Sequence, residues 1–253
     1  MSRWLWDANL VAWAVLLWRL VAIRAYRTNP FLFTFFASTV AEGVCLMQIS
    51  YRSNLYGIIY LCFQIVGTLL TFFTILELYR NALARHKGLA NFGRAAAWVA
   101  VIGVAFVASV SATLDSKIPR GQSAVLHHFF VVERTVDVVF ILFLLLIAFL
   151  ITWFPIRMSR NTALSLAGFV GFYILRAAVL LAINLMSPRW LATINDANLV
   201  LAGLLILVWS ALMRPDAAND DVVPGHSWDP AALEDLTRQL DGINAALSRF
   251  GRN

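Results

Sequence analysis

Charged side chains are scarce in this chain of 253 residues. Asp, Glu, Lys and Arg make up 13% of it and hydrophobic residues 60%, whereas soluble domains average about 25% charged and about 45–50% apolar residues. So little charge excludes an ordinary soluble domain. The composition predicts a protein that folds in a lipid bilayer.

Lysine is nearly absent, and so are catalytic motifs. The two lysines, Lys87 and Lys117, fall in predicted loops, which excludes a retinal Schiff base inside a helical bundle. The sequence has no Ser-His-Asp order, no glycine-rich phosphate loop and no His-Glu-x-x-His motif. We predict no catalytic residue and no cofactor.

Cysteine is rare as well. Cys45 and Cys62 lack metal-binding or redox spacing. A bridge is conceivable because both fall near the same predicted helix ends, but we expect two buried, unbridged side chains that act as small hydrophobes. His128 and Glu133 are five residues apart, which does not place two ligands on one helical face, so no metal site is predicted.

Long apolar runs dominate what is present. A helix that crosses a membrane needs about 20 mostly apolar residues. Seven runs qualify, at 4–23, 31–50, 55–79, 95–114, 125–155, 163–186 and 191–213. They predict an all-α membrane protein, a seven-transmembrane-helix bundle over residues 1–214. No small-residue cleavage site follows the first run, so we expect this helix to be retained.

The positive charges near the run ends predict the orientation. One set of ends carries nine basic residues: Arg24, Arg27, Arg80, Arg85, Lys87, Arg94, Arg157, Arg160 and Arg214. The other set carries five: Arg3, Arg52, Lys117, Arg120 and Arg189. Basic residues concentrate on the cytoplasmic side, so we predict the N-terminus outside and the C-terminus in the cytoplasm. Tryptophans near both sets of ends, among them Trp6 and Trp209, are interpreted as an interfacial belt.

The charge balance changes after Arg214. Residues 1–214 hold 17 basic and 7 acidic residues, and the remainder holds 3 and 7. The basic excess therefore belongs to the membrane part and does not predict nucleic-acid binding. Residues 215–228 form an acidic linker, and residues 229–253 a predicted short amphipathic, coiled-coil-like cytoplasmic helix. Its apolar seam consists of Leu233, Leu236, Leu240, Ile243 and Leu247. The seam suits a second copy, a cytoplasmic partner, the cytoplasmic face of the protein's own membrane domain, or the membrane surface.

Ionisable residues within apolar runs are candidates for a site, because burying a charge in lipid is expensive. Glu42 and Arg176 fall at similar depths near the middle of their runs, so we predict an ion pair between them. The pair could serve architecture or function.

A second polar group is predicted at the outer end. Neighbouring turns of the fifth run carry Glu133, Arg134 and Asp137. The seventh run contributes Asp196 and Asn198 at a similar depth. Together with Glu42, these residues give an acidic surplus that favours a small cationic or amine ligand. The alternative is a solvated rim without a ligand.

One pentapeptide occurs twice. Residues 7–11 and 196–200 both read Asp-Ala-Asn-Leu-Val. We expect Asp7 and Asp196 to serve as N-caps or first-turn residues of their helices. Two matched carboxylates at a vestibule rim are the alternative.

The chain resembles a group of uncharacterised bacterial seven-helix membrane proteins. The features are Asn9 and Arg19 in the first run, the sequence Val-Glu-Arg-Thr-Val at 132–136, and a short tail ending near 247–249. This resemblance implies a location in the bacterial inner membrane and no particular activity. The topology is also similar to that of G-protein-coupled receptors, whose motifs are absent.

These observations favour a receptor-like sensor. A ligand in the outward-facing polar cavity would shift helices, and the cytoplasmic tail would pass the change to a partner or a second copy. The alternatives are a scaffolding subunit of a larger membrane complex, or a cation or proton channel or transporter.

Overall fold

A computed structural model describes residues 3–50, 53–84, 124–153, 156–185, 188–215, 221–222 and 230–250. The described helices are α1 (Arg3–Ala22), α2 (Ala25–Thr28), α3 (Pro30–Met47), α4 (Asn54–Ala82), α5 (Ala124–Trp153), α6 (Arg160–Leu185), α7 (Leu191–Leu212) and α8 (Pro230–Phe250). Strands β1 (Met158–Ser159) and β2 (Asp221–Val222) pair antiparallel. A 3₁₀ turn, Pro188–Trp190, precedes α7.

Six of the described helices, α1, α3, α4, α5, α6 and α7, are long and apolar enough to cross a membrane. The predicted all-α, multi-pass membrane fold is therefore confirmed in this coarse form. Each of these helices agrees with its predicted run to within three residues at either end. The predicted run at 95–114 lies outside the described residues, so a count of seven stays a prediction.

Many large apolar side chains lie on the protein surface. Trp4 is 68% exposed, Trp18 73% and Leu142 61%. Such surfaces are rare on soluble proteins because they aggregate, whereas lipid tails solvate them. The surface thus agrees with the membrane fold that the helix lengths indicate.

The helices divide into two compact units. The first comprises Met1–Ala82 and Arg157–Val223, with α1 to α4, α6, α7 and the strand pair. The second comprises Leu83–Ile156 and Pro224–Asn253, with α5 and α8.

Hydrogen bonds define the helix directions in the first unit. Asn9 on α1 donates to the Leu199 carbonyl on α7, and Arg19 on α1 donates to the Met213 carbonyl that follows α7. The earlier residue of α1 bonds to the earlier residue of α7, and the later residue of α1 bonds to the residue after the end of α7. The two helices therefore run parallel and side by side. The end where α1, α4 and α7 begin is called the Asn9 end, and the other the Arg19 end. The Asn9 end is the predicted outer side.

Aromatic side chains fill the core of the first unit. The Trp13 ring lies 5.4 Å from Phe36, whose ring lies 5.3 Å from Trp209 in an edge-to-face arrangement. Trp209 is 3% exposed, so its predicted place in an interfacial belt is wrong. The reason is Gly168 on α6, where a Cβ atom would lie 2.3 Å from the Trp209 ring. The missing side chain leaves the space that the indole fills.

At the Arg19 end, polar side chains of α4 bond to the backbone groups at the start of α3 and at the end of α2. The Glu77 carboxylate on α4 accepts hydrogen bonds from the backbone N–H groups of Phe31 and Leu32, at 3.2 and 3.0 Å. These are first-turn N–H groups of α3 that have no partner within the helix. Asn81, one turn further along α4, donates to the Thr28 carbonyl at 3.0 Å. Glu77 is buried, and its two carboxyl oxygens hold the start of α3 in place through these hydrogen bonds.

The two cysteines are unbridged, as expected, and both are exposed. The expected burial is wrong because Cys45 and Cys62 lie on outward faces of α3 and α4.

The tail helix α8 belongs to the second unit. Leu236 is half-buried, Leu240 is 2% exposed and Ile243 is 43% exposed. Glu234 and Arg238 form an exposed ion pair at 3.4 Å. The side chains of Leu233 and Leu247 lie outside the described residues, and a partner for the seam stays a prediction.

Candidate functional site: a cavity at the Asn9 end

A cavity of about 250 Å³ opens among four helices at the Asn9 end of the first unit. Its lining combines aromatic, amide, hydroxyl and carboxylate side chains. The lining residues are Trp6, Asn9, Leu10 and Trp13 from α1, Thr39, Glu42, Gly43 and Leu46 from α3, Tyr56 and Tyr60 from α4, and Leu199 from α7.

Asn9 builds the wall between α1 and α7. Its Nδ2 donates to the Leu199 carbonyl at 2.7 Å, and its Oδ1 accepts from the Trp13 indole N–H at 2.6 Å. Asn9 is 8% exposed. Because the amide bonds to the protein on both sides, it holds the Trp13 ring in place beside the cavity.

Glu42 supplies the negative charge. Its Oε1 accepts a hydrogen bond from the Gln64 side chain of α4 at 3.3 Å. Next to it, Gly43 packs against Leu10, and a Cβ atom at Gly43 would lie 2.6 Å from that leucine. This close approach of α1 and α3 places Glu42 beside the α1 aromatics. Among the described residues that line the cavity, Glu42 alone is charged.

Four aromatic residues share the lining with this carboxylate: Trp6, Trp13, Tyr56 and Tyr60. Aromatic faces attract cations through their quadrupole. Trp6 was predicted to belong to an interfacial belt, but it is half-buried and lines the cavity. A carboxylate and several aromatic rings around one small space suit a positively charged ligand.

Sequence reasoning identified Glu42 but missed most of the other lining residues. A signal was available on α4, where Tyr56, Tyr60 and Gln64 follow at four-residue spacing and therefore share one helical face. Such a polar-aromatic face inside an apolar run points to a surface that lipid does not cover.

Three predicted site residues lie in the first unit outside the cavity lining: Arg176 on α6 and Asp196 and Asn198 on α7, all half-buried. Tyr173, three residues before Arg176 on α6, lies level with Thr71 on α4, because its hydroxyl donates to Thr71 Oγ1 at 2.9 Å. Arg176 is about 4.5 Å further toward the Asn9 end. Its ion pair with Glu42 stays a prediction.

The remaining predicted residues belong to the second unit. Asp137 on α5 is 6% exposed. Glu133 and Arg134 lie one turn earlier on the same helix, where side chains fall outside the described part of the chain. Their role in ligand binding stays a prediction.

The repeated pentapeptide is not a pair of helix caps. Asp7 is the fifth residue of α1, and Asp196 is the sixth of α7, so the expected capping role is wrong. Both helices begin earlier than the Asp positions, α7 because the turn at Pro188–Trp190 leads directly into it. The two repeats lie side by side instead, joined by the hydrogen bond from Asn9 to Leu199.

No protein-family model, curated protein or solved structure matches the chain. The cavity is therefore the feature from which a function is inferred.

Proposed function

We propose that the protein is a receptor-like sensor that binds a small cation or amine in the cavity at the Asn9 end. The observation that carries the proposal is the convergence of Glu42 with Trp6, Trp13, Tyr56 and Tyr60 around one space. A small set of polar groups in a mostly apolar cleft is the usual composition of a ligand site.

Charge explains why the ligand would be a cation. A positive ligand near Glu42 replaces water around the carboxylate, and it gains the attraction of the ring faces as well. An anionic ligand would be repelled by the Glu42 carboxylate, and a neutral one would gain neither the attraction of this carboxylate nor that of the ring faces for a positive charge.

The packing around Trp13 supports a sensing role. Trp13 lines the cavity and also contacts Phe36 and Phe172 of the aromatic core. Phe36 in turn contacts Trp209 near the end of α7. A ligand that moves the Trp13 ring would therefore disturb packed side chains as far as α7, because a close-packed core transmits displacement.

Conduction is the less favoured alternative. Glu77 is the acidic residue of α4 toward the Arg19 end, and its carboxylate caps α3. This engagement suits architecture better than a stepping stone for ions.

Binding is tested by the thermal stability of the purified full-length protein with potassium, ethanolamine and choline. A ligand at a hundred times its Kd stabilises the native state by about 2.7 kcal/mol. We expect stabilisation by at least one of these cations, lost in Glu42→Gln. Glu234→Gln is the matched control, because it removes an exposed carboxylate on α8. Stabilisation that is equal in Glu42→Gln and wild type would contradict the proposal.

The sensing role has its own test. Hydrogen exchange of α7 and α8 is compared with and without the stabilising cation. Changed protection in these helices supports a sensor, and a change confined to the residues lining the cavity would refute transmission.

A further inference from the structure

We infer that the cavity selects a quaternary ammonium group, such as the trimethylammonium of choline, over a primary amine or a metal cation. This inference rests on the proposed function and narrows its ligand to one chemical class.

Hydrogen bonding within the lining favours a quaternary over a primary ammonium group. A primary ammonium carries three N–H donors and needs acceptors for them, whereas a quaternary ammonium has none. Polar atoms of the lining are already engaged within the protein. Asn9 bonds to Leu199 and Trp13, the Thr39 hydroxyl donates to the Phe35 carbonyl at 3.0 Å, and Glu42 accepts from Gln64. These bonds use the Asn9 amide, the Thr39 hydroxyl proton and one oxygen of Glu42. They reduce the acceptors open to N–H donors and favour a ligand that is held by charge and ring surface.

The aromatic rings of the lining favour a methylated ammonium group over a metal cation. Four of the eleven lining residues are Trp or Tyr, and they come from two different helices. Rings that approach from α1 and α4 can surround a ligand on more than one side. Methylated ammonium groups are the ligands that aromatic cages recognise, because their charge is diffuse and their hydration weak enough to be given up. A metal cation would instead need several oxygen ligands.

The size of the cavity limits the ligand to a small group. Pockets for drug-sized ligands measure about 300–1,000 Å³, and this cavity measures about 250 Å³. It therefore suits a headgroup or a small free molecule. The trimethylammonium group could come from free choline or from a choline lipid, and the chemistry of recognition is the same for both.

The test is calorimetric titration of the full-length protein in nanodiscs with tetramethylammonium, choline, ethanolamine and sodium. We expect tetramethylammonium and choline to bind at least tenfold more tightly than ethanolamine. The sharpest variant is Trp6→Leu, with Trp4→Leu as its control, since Trp4 is on the same helix, 68% exposed and outside the cavity lining. Loss of one cation–π contact should weaken choline binding about three- to thirty-fold in Trp6→Leu, with no change in Trp4→Leu.

Each outcome has one meaning. Ethanolamine binding as tight as choline binding, with no effect of Trp6→Leu, would overturn the inference and leave the proposed cation site standing. Absence of binding by all four cations to a monodisperse wild-type protein would refute both. If Trp6→Leu fails to fold, Tyr56→Leu replaces it and carries the same expectation. Nanodiscs of phosphatidylcholine and of phosphatidylglycerol distinguish the two sources of the ligand. If choline binds more weakly in phosphatidylcholine, the lipid headgroup competes for the cavity and is assigned as the ligand. If choline binds equally in both lipids, free choline is assigned as the ligand.

Discussion

The contact between Gly168 and Trp209 allows the helix packing to be tested without any ligand. A Cβ atom at Gly168 would lie 2.3, 2.6 and 2.6 Å from three atoms of the Trp209 ring. The ring cannot move aside easily, since it is 3% exposed and packs against Phe36. Overpacking of this kind costs about 1–3 kcal/mol, and we take the upper part of that range because three atoms are involved.

Helix propensity acts in the opposite direction. Replacing glycine by alanine inside a helix stabilises it by about 1 kcal/mol. The net expectation for Gly168→Ala is thus a loss of about 2 kcal/mol. Gly171→Ala is the matched control, one turn along α6, where the added Cβ would lie 3.5 Å from Leu205 in ordinary contact. That variant should gain up to about 1 kcal/mol.

The assay is thermal unfolding of the two purified variants beside wild type, followed by tryptophan fluorescence. About 1 kcal/mol shifts the midpoint by about 2–4 °C in a chain of this size. We expect the midpoint of Gly168→Ala to fall by several degrees and that of Gly171→Ala to stay level or rise. Equal midpoints for both variants would refute the described packing of α6 on α7.

Two further predictions concern polar groups of α4. Glu77→Gln should lower stability by about 2 kcal/mol, because it weakens two hydrogen bonds at the start of α3, one buried and one partly buried. Its midpoint is compared with that of Thr34→Val, an exposed change on α3, and equal midpoints would contradict the capping role. Thr74→Val should raise stability by about 1 kcal/mol, because the buried Thr74 hydroxyl has no hydrogen-bond partner in the described structure and valine nearly preserves its shape. A lowered midpoint would show that this hydroxyl is satisfied in the membrane.

Hydropathy predicted the membrane helices well because the bilayer imposes their length and composition. Six predicted runs became helices with ends within three residues of the expected ones. The same signal says little about which side of a helix faces lipid. Trp209 and Trp4 look alike in the sequence, yet one is 3% and the other 68% exposed. Gly168 decides the difference, and its effect depends on a helix that comes later in the chain.

The cavity was predictable in part. Glu42 is identifiable from the sequence because a carboxylate within an apolar run is expensive to bury in lipid and usually faces the interior of the bundle. Tyr56, Tyr60 and Trp13 are ordinary residues for a membrane helix, so their meeting with Glu42 depends on the packing of α1, α3 and α4. The predicted capping role of Asp7 is wrong because α1 begins four residues before it. Glu77 lies near the end of the apolar run at 55–79 in the sequence, and only the packing of α3 on α4 shows that it is buried.

Calorimetric titration of choline into wild type and Glu42→Gln is the most direct test of the cation site. We predict saturable binding to wild type and binding at least tenfold weaker to Glu42→Gln, a difference of about 1.4 kcal/mol or more. Equal affinity of the two proteins would show that the Glu42 carboxylate does not attract the ligand and would contradict the account.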